Sequence, residues 1–198
     1  FALNSDRFCD YSCFVDEWDA TVKLIGVQKN IVSNVMYVRP KNLDEVITLM
    51  SKDTWSILAG GTDIYPSIGE RPIKTPFIDL TNVCDLKGIT EDGSFWRIGA
   101  VATWTELIKT KLPPGFNALK QAAREIGSIQ IQNRATIAGN ICNASPAADG
   151  VPALMILNAS VELTSVSGTR DVALKDYIIG NRKTVRNPNE IVSCIKIP

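Results

Sequence analysis

The chain has 198 residues, enough for one large domain or two small subdomains with a full core. Lys plus Arg and Asp plus Glu each total 21 and are spread along the chain, so the basic stripe of a nucleic-acid binder is missing, and no apolar run reaches the ~20 residues of a membrane span. Histidine is absent, which excludes Ser-His-Asp and Cys-His catalysis and His-ligated metals, and leaves chemistry near neutral pH to a cofactor.

Residues 1–33 match no element and read as an extension or linker. They show no basic segment followed by an apolar one, so no signal peptide is expected. The first residue is Phe1 rather than Met, which suggests a trimmed start or a piece of a longer polypeptide. Cys9, Cys13, Cys84, Cys142 and Cys194 have no metal-ligand spacing; their scatter favours reduced thiols in a cytoplasmic setting.

Organised sequence begins near Val35. Met36-Tyr37-Val38 reads as extended and runs into Arg39-Pro40, where helix is disfavoured. Asn42-x-x-Glu45 predicts a capped helix start, with Leu43, Val46, Ile47, Leu49 and Met50 on one face. Trp55–Ala59 reads as a buried strand entering Gly60-Gly61-Thr62-Asp63, and Pro76–Leu80 as another strand. A hairpin over 88–99 turns at Glu91-Asp92-Gly93.

Thr103 can cap a short helix, and Phe116–Ile126 is an amphipathic helix ended by Gly127. Residues 128–149 are a long polar stretch with no evident element, of the kind that carries function. Val151–Leu157 reads as a short helix, 161–164 opens a second hairpin, and 190–197 alternates as a strand. Strands and helices mix without regular alternation. The class is α+β, with subdomains over 34–82 and 83–198.

Two segments stand out chemically. In Leu58-Ala59-Gly60-Gly61-Thr62-Asp63, small residues permit close backbone approach and converging N–H groups can meet an anion. Taken alone, it also fits an ordinary tight turn. The second runs from Ala135 to Asp149, with two Asn side chains, hydroxyls and one carboxylate. A diphosphate needs donors and a sugar chain needs acceptors, and both are present. Neither segment carries Lys or Arg, which suits a diphosphate held by backbone dipoles. Cys142, inside the second segment, reads as a small buried thiol. No residue is a convincing acid or base, so no catalytic residue and no metal site is assigned.

Leu-Ala-Gly-Gly-Thr-Asp after a buried strand, then Ala-Thr-Ile-Ala-Gly-Asn-Ile-Cys-Asn-Ala-Ser-Pro-Ala-Ala-Asp, resembles the flavin domain of molybdenum hydroxylases of the xanthine and carbon monoxide dehydrogenase type. Gly180-Asn181-Arg182-Lys183-Thr184, the stretch 188–198 and Tyr37-x-Arg39-Pro40-x-x-Leu43-x-Glu45 are similar to the same domain. The resemblance implies an FAD-binding fold of the vanillyl-alcohol-oxidase (PCMH) type, with noncovalent FAD between two subdomains. Ser56, Ile57, Leu58, Ala59, Gly60, Gly61, Thr62 and Asp63 would wrap the diphosphate. Thr136, Ile137, Ala138, Gly139 and Asn140 would complete the cradle, and Asp149 would bind the ribityl or ribose region. Ile126 and Val192 would line flavin or adenine, although plain core packing explains them equally well.

The family also implies partners: an iron–sulfur subunit with 2Fe–2S clusters, a molybdopterin subunit, and an acceptor such as NAD+. Two departures stand out. Asn181 occupies a position where some relatives have tyrosine, and the family's smaller C-terminal domain is read as absent after Pro198. A stand-alone flavin-dependent reductase or oxidase of the same superfamily is the alternative.

Overall fold

The computed structural model describes residues 29–32, 35–69 and 75–198. The unassigned extension therefore lies outside the described residues over 1–28 and 33. Its remaining part corrects the sequence reading: Lys29–Val32 forms strand β1, paired antiparallel with β2, Val35–Val38.

Helix α1, Leu43–Met50, follows β2. The Asn42 side chain accepts from the Glu45 backbone N–H at 2.9 Å, and Glu45 returns a bond to the Lys41 N–H at 2.8 Å. Reciprocal satisfaction of free amides fixes the helix start where the sequence places it. Strand β3, Ser56–Leu58, is followed by a short helix α2, Ile64–Ile68, and then strand β4, Phe77–Asp79. The sheet order is β1-β2-β4-β3, with β4 parallel to both neighbours. Helix α2 was not anticipated, because Pro66 and exposed Tyr65 and Ser67 blur its periodicity.

The second sheet is antiparallel, in the order β5-β6-β11-β7-β8. Its strands are β5 (Ile89–Asp92), β6 (Phe95–Gly99), β7 (Ser160–Ser165), β8 (Gly168–Ala173) and β11 (Ile191–Ile197). Asp92 pairs with Phe95, so the first hairpin turns on Gly93-Ser94, one residue later than read from the sequence, and Gly93 sits at φ 61°.

Helices lie between the hairpins in sequence. Thr103 and Glu106 form a full capping box at α3, Trp104–Lys109. Helix α4, Asn117–Glu125, buries Leu119 and Ala123, and Gly127 at φ 54° turns the chain after it.

The polar stretch 128–149 is not without structure. It contains α5, Ile129–Gln132, and α6, Ile137–Asn143. Ser128 and Thr136 cap them, Thr136 Oγ1 accepting from the Gly139 N–H at 3.0 Å. Each helix is too short for a legible apolar period, and Ile129 points to solvent. Helix α7, Gly150–Ile156, follows, then α8, Leu174–Tyr177, and a small hairpin of β9, Ile178–Gly180, and β10, Lys183–Thr184.

One continuous core links both sheets. Val38, Val46, Leu49 and Ile78 from the first part meet Ile98, Trp104, Leu119, Leu154, Val161, Tyr177 and Ile195 from the second, all fully buried. Each such aliphatic side chain contributes roughly 1.5–3 kcal/mol by leaving water.

Candidate functional site

A cleft of about 990 Å³ is walled by both glycine-bearing segments. The first leaves β3 at Leu58 and turns at Gly61, whose φ of 75° suits glycine alone. A β-carbon on Gly60 would overlap the carbonyl of Arg134, so the two segments meet backbone against backbone. The second segment is tied to the start of α3 by main-chain bonds: Trp104 N–H to Ala135 O at 3.2 Å, and Ile137 N–H to Ala102 O at 3.1 Å.

Side chains add a second tie. Asn143 Nδ2 donates to Asp63 Oδ1 at 2.9 Å, and Arg182 Nη1 donates to Asn143 Oδ1 at 2.5 Å. The Arg182 N–H also reaches Ala144 O at 2.8 Å, and both residues are left-handed, at φ 52° and 46°. These non-glycine conformations are held by the surrounding bonds.

Behind the first loop lies a smaller, polar pocket of about 280 Å³. There the Tyr37 hydroxyl donates to Asp79, and Arg39 Nε stands 3.1 Å from the same carboxylate. Burial and the Asp79 bond push the Tyr37 hydroxyl up to about 12. Asp79 Oδ1 also accepts from Thr81 N–H at 2.8 Å, closing the turn after β4.

The cleft is lined by Ser56, Ile57, Ala59, Gly60, Gly61, Thr62, Asp63, Ile126, Thr136, Ala138, Gly139, Asn140 and Val192. Three residues anticipated for the site do not line it. Leu58 is buried and faces the smaller pocket, Ile137 is fully buried in the core, and Asp149 is exposed beside the start of α7. Cys142 is exposed at the cleft wall rather than buried, its Sγ 3.3 Å from the Tyr177 hydroxyl.

The structure also brings in residues that sequence reasoning missed: Trp55, Phe77, Trp104, Ile131, Asn143 and Arg186. The alternating pattern of 190–197 carried a signal for Ile191 beside Val192, whereas nothing local marked Arg186.

Asn140 Oδ1 and Trp104 Nε1 are buried without a hydrogen-bond partner. Unsatisfied buried polar atoms are costly. With a largely apolar wall and a few convergent polar groups, the cleft suits a large organic ligand with both donors and acceptors.

An α+β cofactor-binding domain with its cleft between two glycine-bearing segments is the class that this fold and site define. The chain belongs to the family described as the FAD binding domain in molybdopterin dehydrogenase, whose model matches residues 30–198. It is 37% identical over 168 residues to a carbon monoxide dehydrogenase medium chain of Afipia carboxidovorans, covering 82% of this chain and 58% of that one. It is 34% identical over 167 residues to a xanthine dehydrogenase FAD-binding subunit of Escherichia coli, covering 82% and 57%. Among solved structures, reconstituted CO dehydrogenase from Oligotropha carboxidovorans matches with a TM-score of 0.77 and 33% identity, over 85% of this chain and 60% of that chain. The chain thus spans less than two thirds of the length of these relatives. The fold is the PCMH-type FAD-binding fold that the resemblance implied.

Proposed function

We propose that this chain holds FAD noncovalently in the cleft and serves as the electron-transfer component of a molybdenum-containing hydroxylase or dehydrogenase. Electrons would arrive from 2Fe–2S clusters on an iron–sulfur subunit, a molybdopterin subunit would act on the substrate, and an acceptor such as NAD+ would take the electrons onward. FAD supplies the redox chemistry; the chain binds it, orients it and limits its contact with water.

The observation that carries this reading is the backbone contact between the two glycine-bearing segments at Gly60 and Arg134, which makes them two lips of one cleft. Ser56, Ile57 and residues 59–63, with Thr136 and residues 138–140, would hold the diphosphate. Ile126 and Val192 would flank a ring. We place the protein in the cytoplasm, since an odd number of widely scattered cysteines favours reduced thiols. No helix among the described residues is long and apolar enough to cross a membrane.

Native purification from the source cell, followed by flavin and metal analysis, tests the assignment. A complex holding FAD, iron and molybdenum is expected. A metal-free species reducing an organic substrate directly at FAD would instead favour the stand-alone flavin enzyme.

A further inference from the structure

Sequence reasoning leaves the diphosphate to two segments without Lys or Arg. The fold adds a cation from elsewhere. Among the described residues that line the cleft, the charged side chains are Asp63 and Arg186. Asp63 accepts from Asn143, which in turn is held by Arg182.

Arg186 is fixed differently. Its Nη1 donates to Asn187 O at 3.2 Å and to Glu190 O at 2.7 Å, both uncharged carbonyls. The nearby Glu190 carboxylate is committed to Arg170, at 2.6 and 2.9 Å, and to the Asn187 N–H, at 2.7 Å. Arg186 is half-buried and its guanidinium is anchored through Nη1, while no ion pair among the described residues balances its charge.

Arg186 lines the same cleft as the second segment. Burial pushes the Tyr177 hydroxyl, 3.3 Å from Cys142 Sγ, up, and the positive charge of Arg186 offsets part of that rise. Cys142 belongs to α6, whose first residues are the proposed cradle.

We propose that Arg186 is a further cofactor ligand, pairing its free edge with the diphosphate of FAD. The inference rests on the cofactor reading above. The diphosphate is where oxidised FAD carries its negative charge, and a planar guanidinium meets phosphate oxygens through paired, charge-assisted bonds.

The test uses the full chain stripped of flavin, titrated calorimetrically with FAD, ADP and riboflavin at several salt concentrations. Arg186→Leu should weaken FAD and ADP by about 10- to 100-fold, flatten the salt dependence and leave riboflavin unchanged. Arg186→Lys should recover part of the loss. Arg186→Gln keeps an amide donor for the two carbonyls and removes the charge. It should behave like the leucine variant, and it decides the matter where Arg186→Leu does not fold. Equal ADP affinity in wild type and Arg186→Gln would overturn the proposal, including the case in which FAD alone binds less tightly. A wild-type chain that binds no FAD would overturn the cofactor reading and this inference together.

Discussion

Asn143 donates its Nδ2 to Oδ1 of Asp63 across 2.9 Å, joining α6 to the loop after β3. The bond crosses the cleft wall, so it closes the site as well as stabilising the fold. Asn143→Ala should speed flavin release while lowering the melting temperature only slightly. A double-mutant cycle with Asp63→Ala should give a coupling of about 0.5–1.5 kcal/mol. Stopped-flow fluorescence of FAD release measures the first and denaturant unfolding the second. Additive effects would show that the two side chains act separately.

Gly60 and Gly61 should fail to tolerate side chains for different reasons. At Gly60 a β-carbon would overlap the Arg134 carbonyl, so Gly60→Ala must part the two segments, at about 1–3 kcal/mol. At Gly61 the φ of 75° and the ring of Tyr65 both oppose Gly61→Val. Gly139→Val would bring a β-carbon within 2.6 Å of Thr136 Oγ1 and disrupt the cap of α6. All three should fold with reduced stability and lose FAD, as read by absorbance after desalting. Wild-type FAD occupancy in any of them would remove that glycine from the cradle.

Cofactor attachment is expected to be noncovalent. The sequence offers no histidine for a histidyl link, and Cys142 at the cleft wall shares its thiol with the Tyr177 hydroxyl. Acid precipitation should release all flavin as FAD rather than FMN. Yellow colour retained in the pellet would point to a bond at Cys142, and Cys142→Ser would then bleach it.

Stability should fall in acid through Glu190. Its bond to Arg170, reinforced by the Asn187 N–H, holds the carboxyl down at about 2 despite its burial. The folded value lies below the unfolded one, roughly 4.3. The contribution is therefore complete above that unfolded value and is lost as pH drops toward 2. Arg170 is 45% exposed, so solvent screening limits the ion pair to about 1 kcal/mol. Glu190→Gln should flatten the melting temperature between pH 4.5 and 2 relative to wild type; identical pH profiles would exclude the pair as the cause.

Much of the scaffold was legible because its signals are local. Asn42, Thr103 and Gly127 mark helix ends through chemistry contained within one turn, and the structure uses each as read. The glycine-bearing segments were visible for the same reason. What escaped the sequence depends on distant partners. Helix α6 is only seven residues long, too short for a legible period, and is tied in place by bonds to Ala102 and Asp63. Strand β1 exists through pairing with β2, and Arg186 reaches the cleft from the connection between β10 and β11. Asp149 shows the opposite error: a carboxylate beside the motif, placed outside the cleft by the start of α7.

The position of β11 also bears on how the protein is made. This strand lies at the centre of the five-stranded sheet, between two hairpins that precede it in sequence. On the ribosome, β6 and β7 are completed first, each with one edge open, and neither can join the other until 191–197 emerges. Open edges of this kind invite pairing with other chains. Refolding should be slow for the domain's size, since its last step joins segments far apart in sequence. Low temperature or a chaperone should therefore raise soluble yield more than any change at the cleft.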